Sequence, residues 1–204
     1  TNDGIYSWGT GATITNSGII DAGVNGIYST GDDAIITNSG IIDAGDAGIY
    51  SDGANAIITN SGTITSTTND GIYSWGTGAT ITNSGTINAA DDGIRSLGDD
   101  AIITNSGIIN ATYDGIYSSG DDAIINNSGT IDAGDDGIQS GGANAIITNS
   151  GSIDADYGIY STGDNAIITN SGTITGTDHA ILGGDSNSLT LNLLKGSQLM
   201  GKID

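Results

Sequence analysis

The tripeptide Asn-Ser-Gly returns at Asn16, Asn38, Asn60, Asn83, Asn105, Asn127, Asn149 and Asn170, at intervals of 22, 22, 23, 22, 22, 22 and 21 residues. A second refrain, Gly-Ile followed in most copies by Tyr, keeps the same register at Gly4, Gly26, Gly48, Gly71, Gly93, Gly115, Gly137 and Gly158. A fixed period of this length belongs to stacked repeats and not to a globular core. One repeat is too small to bury its own apolar face and must cover it with the next. The chain is therefore expected to be a single elongated solenoid, with repetitive coils over 1–176 and atypical terminal coils over 177–204.

Residues 9–31 show how one coil is built. Gly9-Thr10-Gly11 is a corner, and Ala12 to Asn16 alternates with period two, the mark of a strand. Ser17-Gly18 turns, with the glycine expected to supply a positive φ. Ile19 to Ala22 is a second strand, Gly23-Val24-Asn25 a second turn, and Gly26 to Ser29 a third strand. Three strands and three corners close a triangular coil. Alternation sends Ala12, Ile14, Asn16, Ile20, Ala22, Ile27 and Ser29 inward, and each recurs one coil later, so three isoleucine ladders fill the interior. Successive coils stack at about 4.8 Å, and about nine of them make a rod of roughly 40 Å. Ile favours strands while Asp and Gly favour corners, so the expected class is all-β, a parallel β-helix.

An inward Asn at a corner can satisfy itself within a stack, because its amide both donates and accepts. The refrain is thus read as structural. One residue is inserted within Ser66-Thr67-Thr68-Asn69-Asp70 and one deleted within Ala155-Asp156-Tyr157. Both fall at the corner before the Gly-Ile strand, which is expected to be the loosest and most exposed. Toward the end Asp178-His179-Ala180-Ile181 keeps the register, and then Leu189, Leu191 and Leu193 replace Ala, Ile and Asn, ending the amide stack.

All 24 acidic residues are Asp, and only Arg95, Lys195 and Lys202 oppose them, for a net charge of −21. Binding to nucleic acid or to an anionic membrane needs a cationic face, so neither is expected. Without cysteine there are no disulfides or thiolate metal sites. No signal peptide and no 18-residue apolar run occurs, and residue 1 falls inside a repeat, so the chain is expected to be a piece of something longer.

The repeat Ala-x-Ile-x-Asn-Ser-Gly-x-Ile resembles the passenger repeats of bacterial autotransporters (type V secretion), over essentially the whole chain. Ser188-Leu189-Thr190-Leu191, with Gly196-Ser197-x-Leu199 and Gly201-x-Ile203-Asp204, is similar to the last coils of such passengers. The resemblance implies a right-handed parallel β-helix, export through the outer membrane, and display at the bacterial cell surface. The expected function is an adhesive or scaffold surface. Its partner would be a host-surface or glycan receptor or another copy of the chain, with no direct membrane insertion by this stretch. Passengers also include esterases and proteases, but those carry separate catalytic motifs that are absent here, so no enzyme is expected.

Four surface features remain as candidates. For catalysis there is one His, His179, beside Asp178, and the stacked pairs Asp99-Asp100 and Asp121-Asp122 offer grouped carboxylates. The His and the Arg-x-Lys of galacturonase-like hydrolases are missing, Arg95 is the only cation on the repetitive rod, and His179 reads as an exposed corner residue. For metal, Asp70, Asp92, Asp114 and Asp136 occupy one corner of four consecutive coils. Such a row either caps its own turns through backbone N–H groups, the favoured reading, or holds calcium. Gly183-Gly184-Asp185-x-Asn187 faintly resembles the calcium β-roll repeat, but only once. No other cofactor is expected.

The third feature is an outward double row. Thr13, Ile35, Ile57, Thr80, Ile102, Ile124, Ile146 and Ile167 run beside Thr15, Thr37, Thr59, Thr82, Thr104, Asn126, Thr148 and Thr169, without a charge. This face resembles the Thr-x-Thr face of β-solenoid antifreeze proteins, whose rows match ice. It equally suits contact with another copy, or plain strand propensity. The fourth is aromatic: Tyr6, Tyr28, Tyr50, Tyr73, Tyr117 and Tyr160, interrupted by Arg95 and Gln139, with Trp8 and Trp75 two residues on. Such a row either stacks sugar rings or packs on itself across coils.

Overall fold

In the computed structural model, which describes residues 2–184 and 188–204, the chain is a parallel β-solenoid. Each coil carries three short strands, and the coil through Asn105 is typical, with Ile102–Asn105, Ile108–Ala111 and Ile116–Ser118. Among the described residues the first strands stack into a nine-stranded parallel sheet that begins with Thr13–Asn16 and ends with Thr190–Leu193. The second and third strands form their own parallel stacks. These merge into one sheet where Ser152–Ser161 and Thr173–Gly183 run straight through the intervening corner. The one-residue deletion lies in the first of those long strands. The shortened corner becomes extended chain with a register irregularity between Ala155 and Tyr157.

Like positions of successive coils pair directly. Ile81 pairs with Ile103 and Ile103 with Ile125, while Asn83 pairs with Asn105 and Asn105 with Asn127. The inward set is the one that alternation selects: Ile36, Ile42, Ile49 and their successors are fully buried, with Ala34, Ala44 and Ser51 in the narrower places. The asparagine amides form a continuous ladder. Asn83 Nδ2 donates to Asn105 Oδ1, and Asn105 Nδ2 to Asn127 Oδ1, each at 2.8 Å. Leu193 pairs with Asn170 and ends it, as expected. In the terminal coil Leu189, Leu191 and Leu199 pack against the isoleucine core.

Two corner expectations are corrected. The Asn-Ser-Gly glycines do not have positive φ: among the described glycines only Gly11, Gly78, Gly196 and Gly201 do. Their requirement is clearance between coils. A Cβ on Gly107 would run into the carbonyl oxygen of Gly85 in the preceding coil. The left-handed position lies elsewhere, in a column of Gly11, Asp33, Asn55, Gly78, Asp100, Asp122, Asn144 and Asn165. Only residues that tolerate that region fill the column. The corner before the Gly-Ile strand is also not uniformly exposed. Thr67, Thr68 and Asp135 are exposed, but Asp70, Asp92, Asp114 and Asp136 are buried.

The inward/outward phase yields a direct prediction. Ile103 is 0% exposed and its neighbour Ile102 is 41% exposed. Ile103→Ala is expected to cost about 2–5 kcal/mol in urea unfolding, as for other buried truncations, and Ile102→Ala far less. Equal losses would put the phase wrong. The inward serines add a second prediction. The hydroxyls of Ser29, Ser51, Ser74, Ser96, Ser118, Ser140 and Ser161 are buried without a hydrogen-bond partner. Ser118→Ala removes such a group without opening space, so it is expected to be neutral or to stabilise by up to about 1 kcal/mol. A loss above that in the same assay would mean that the hydroxyl is bonded in solution.

Candidate functional site

The most uniform surface is the outer side of the nine-stranded sheet. Strand alternation that buries Ile103 and Asn105 places Ile102 and Thr104 outward, and identical register repeats this in every coil. The row of Thr13, Ile35, Ile57, Thr80, Ile102, Ile124, Ile146 and Ile167 is half-buried to exposed. So is its neighbour of Thr15, Thr37, Thr59, Thr82, Thr104, Asn126, Thr148 and Thr169. Neither row carries a charge, although the chain as a whole has −21. Its bordering corner is the left-handed one, where Asp99, Asp100, Asp121 and Asp122 sit. Asp99 Oδ1 there accepts from the Asp121 backbone N–H at 2.9 Å, and Asp121 Oδ1 from that of Ala143 at 2.8 Å. These carboxylates hold turns together and lie open on the rim of the sheet.

The aromatic row runs along the third strands in one register, Tyr6 beside Tyr28, then Tyr50, Tyr73, Arg95 and Tyr117. Most of its rings are used on one another. Tyr6 and Tyr28 meet edge-on at 4.7 Å, and Tyr50 and Tyr73 stack at 4.7 Å. Arg95 continues the column, with its guanidinium 4.7 Å from the Tyr117 ring centre and 6.0 Å from that of Tyr73. The Tyr28 hydroxyl donates to Asp52 at 3.0 Å; burial and that bond push its pKa up to about 12. Tyr160 sits 6.1 Å from Tyr157. The flanking Trp8, 78% exposed, meets Tyr6 edge-on at 4.8 Å, and Trp75, 57% exposed, lies 6.1 Å from Tyr73. Ring packing thus accounts for most of the tyrosines, and the two tryptophans keep the largest open ring surface of the row.

The aspartate row does not cap its own turns as expected. Three of its four carboxylates reach the backbone of the next coil instead. Asp70 Oδ1 accepts from the Asp92 N–H, Asp92 Oδ1 from that of Asp114, and Asp114 Oδ1 from that of Asp136, all at 3.1 Å. The second oxygens of Asp92 and Asp136 are taken by Arg95 at 3.0 Å and Gln139 at 2.8 Å. The four side chains are only 1–7% exposed. Burial raises their affinity for protons, and facing carboxylates reinforce it in Asp70 and Asp114. Asp70, Asp114 and Asp136 are pushed up to about 7, and Asp92 is also raised.

A cation would have to compete with these donors. Among the described residues the one compact acidic group is Asp70, Asp91 and Asp92, whose ligand atoms lie within 4.8 Å of one another; Asp114 and Asp136 do not join it. With two of its oxygens bonded to backbone N–H and one to Arg95, the group fits a calcium ion poorly. Melting curves in chelator and in millimolar calcium are accordingly expected to coincide; a calcium-dependent rise would restore the metal reading. Asp185 and Asn187 of the β-roll-like segment lie outside the described residues.

His179 is not an exposed corner residue. Its side chain is 13% exposed, its ring stacks on Tyr157 at 5.6 Å, and Nε2 lies 2.9 Å from Asp204 Oδ2. Lys202 approaches Asp178 at 3.7 Å beside it. This cluster ties the terminal strand Gln198–Ile203 to the coil below. Sequence reading overlooked a different place: a shallow groove along the second strands, lined mainly by threonine, asparagine and alanine, with exposed Tyr113 next in the chain to the lining residue Thr112. The signal was present, since Thr65, Asn88 and Asn110 stand where Asp21, Asp43, Asp132 and Asp154 stand in other coils.

Comparison of the chain with protein-family models, curated proteins and solved structures finds no match.

Proposed function

We propose that this chain is part of an extracellular, passenger-type rod at a bacterial surface, and that the outer face of its nine-stranded sheet is a contact surface for a second copy. The observation that carries this reading is the charge pattern. Two adjoining rows run through eight coils without a charge in a chain of −21. Charge elsewhere on the rod opposes approach, whereas this face lets two copies meet along eight coils while covering half-exposed Ile102, Ile146 and Ile167. The resemblance of the repeats to autotransporter passengers supports the localisation.

Sedimentation at rising protein concentration tests the contact. Wild type is expected to gain mass with concentration, and the double substitution Thr104→Lys, Ile124→Lys to stay monomeric. The two lysines lower the overall repulsion of a −21 chain, so loss of association can only be local. Association that survives them would remove the sheet from the interface. A second reading, ice binding, draws on the same register: Thr15, Thr37, Thr59, Thr82 and Thr104 form an unbroken threonine column. Thermal hysteresis in wild type, abolished by the same double substitution, would favour it over association.

A further inference from the structure

On a different side of the rod, the second strands of four consecutive coils line a shallow groove of about 500 Å³. Thr65, Asn88, Asn110 and Asp132 follow one another in register along it, with Ala89 and Ala111 on the floor. Three coil steps at the strand spacing give about 14 Å. The column that forms its wall is Asp in the coils on either side, at Asp21 and Asp43 and again at Asp132 and Asp154. It turns neutral across Thr65, Asn88 and Asn110, and again past Asp154 at Thr175 and Met200, where the groove does not extend. The groove floor is small and apolar. Tyr113, 56% exposed, follows the lining residue Thr112 in the chain.

We infer that this groove binds a neutral oligosaccharide lying along the rod axis. The inference rests on the reading of the rod as an extracellular contact element and names a ligand class for a second face of it. Three properties converge on that class. The Asn110 amide donates to Asn88 Oδ1 at 2.8 Å, which leaves donor capacity on Asn88 and acceptor capacity on Asn110. Spare amide donors and acceptors one coil apart match hydroxyls repeated along a chain of linked sugars. The alanine floor and the Tyr113 ring offer apolar surface to sugar C–H faces, in the usual pairing of apolar walls with a few polar groups. Removing charge from the wall spares a neutral ligand the cost of stripping water from carboxylates. An acidic glycan would instead face Asp132 and a chain of −21.

The test is titration calorimetry with cellohexaose, maltohexaose and chitohexaose, and with an oligogalacturonate as the acidic comparator. At least one neutral probe is expected to bind, and the oligogalacturonate is not. Asn88→Asp with Asn110→Asp restores the residue that other coils carry, so the fold is preserved while the wall regains its charge. Affinity is expected to fall at least tenfold in that variant, and again at least tenfold in Tyr113→Ala. The Thr104→Lys, Ile124→Lys variant keeps wild-type sugar binding, so loss of self-association and loss of glycan binding are told apart. Failure of all three neutral probes overturns the inference, as does binding that is unchanged in the groove variants or that favours the oligogalacturonate.

Discussion

Gly107→Ala is expected to be among the most damaging substitutions in the rod, with a loss of about 3 kcal/mol or more in urea unfolding. The added Cβ points at the carbonyl oxygen of Gly85 and the backbone around it. Backbone cannot rotate aside as a side chain can, so relief requires the coils to part. Parting lengthens the bonds that join them here, Gly107 N–H to Asn83 O at 3.2 Å and Ile108 N–H to Gly85 O at 2.9 Å. It also strains the Asn83–Asn105–Asn127 amide ladder beside them. Each coil is stabilised through its neighbours, so the damage extends beyond one corner. A control lies within the rod: a Cβ on Gly141 would find nothing nearer than Ser119 Cα at 3.7 Å. Gly141→Ala is expected to be tolerated. Similar losses at Gly141 and Gly107 would mean that clearance between coils does not set the cost.

The second large effect is a gain of stability in mild acid. The folded carboxyls of Asp70, Asp114 and Asp136 titrate near 7, against 3.8 for an ordinary Asp. Between those limits the folded state binds more protons than the unfolded chain, so unfolding free energy falls as pH rises. The stabilisation is complete below about pH 4 and is lost on passing upward through about 7. Groups facing the column are Asp91, Asp135, Arg95 and Gln139; Arg95 pairs with Asp92 and also opposes the upward shift at Asp70 without cancelling it. The unfolding free energy from urea titration is therefore expected to be higher at pH 5 than at pH 8, by an amount on the order of a few kcal/mol. Relief of general acidic repulsion acts in the same direction, and Asp114→Asn separates the two. An amide oxygen can still accept from the Asp136 N–H, and Asn25 already occupies this column in the second repeat. Asp114→Asn should raise stability at pH 8 and flatten the pH dependence. A profile unchanged by the substitution would place the effect outside the column.

Much of this architecture could be read in the residues themselves. Period two within Ala12–Asn16 and a fixed interval between refrains assign Ile14 inward and Thr13 outward, and stacking carries that assignment to the other coils. The Leu193 terminus of the asparagine ladder followed from the same register. What escaped belongs to the space between coils. The clearance at Gly107 is set by Gly85, 22 residues away, and nothing within one repeat reveals it. The Asp70 to Asp136 column was visible, but its bonds to the coil above and its burial were not. They depend on how the corner folds over the Gly-Ile strand. The left-handed column at Asp100 and Asp122 could have been identified, because only Asp, Asn and Gly fill it. The neutral stretch at Thr65, Asn88 and Asn110 was likewise legible as a break between Asp43 and Asp132 in a column that is mostly acidic up to Asp154. Tyr113 was missed because it stands outside the Tyr6 to Tyr160 row.

The contact reading of the uncharged sheet is tested most directly by cross-linking single cysteines. The chain has none of its own, so each introduced thiol reports on its own position. Thr104→Cys places a thiol on the Ile/Thr face, and Asp43→Cys places one on an exposed acidic column of another face. Under mild oxidation, Thr104→Cys is expected to give a disulfide-linked dimer at concentrations where Asp43→Cys stays monomeric. Dimer from Asp43→Cys alone, or no preference between the two, would contradict the account.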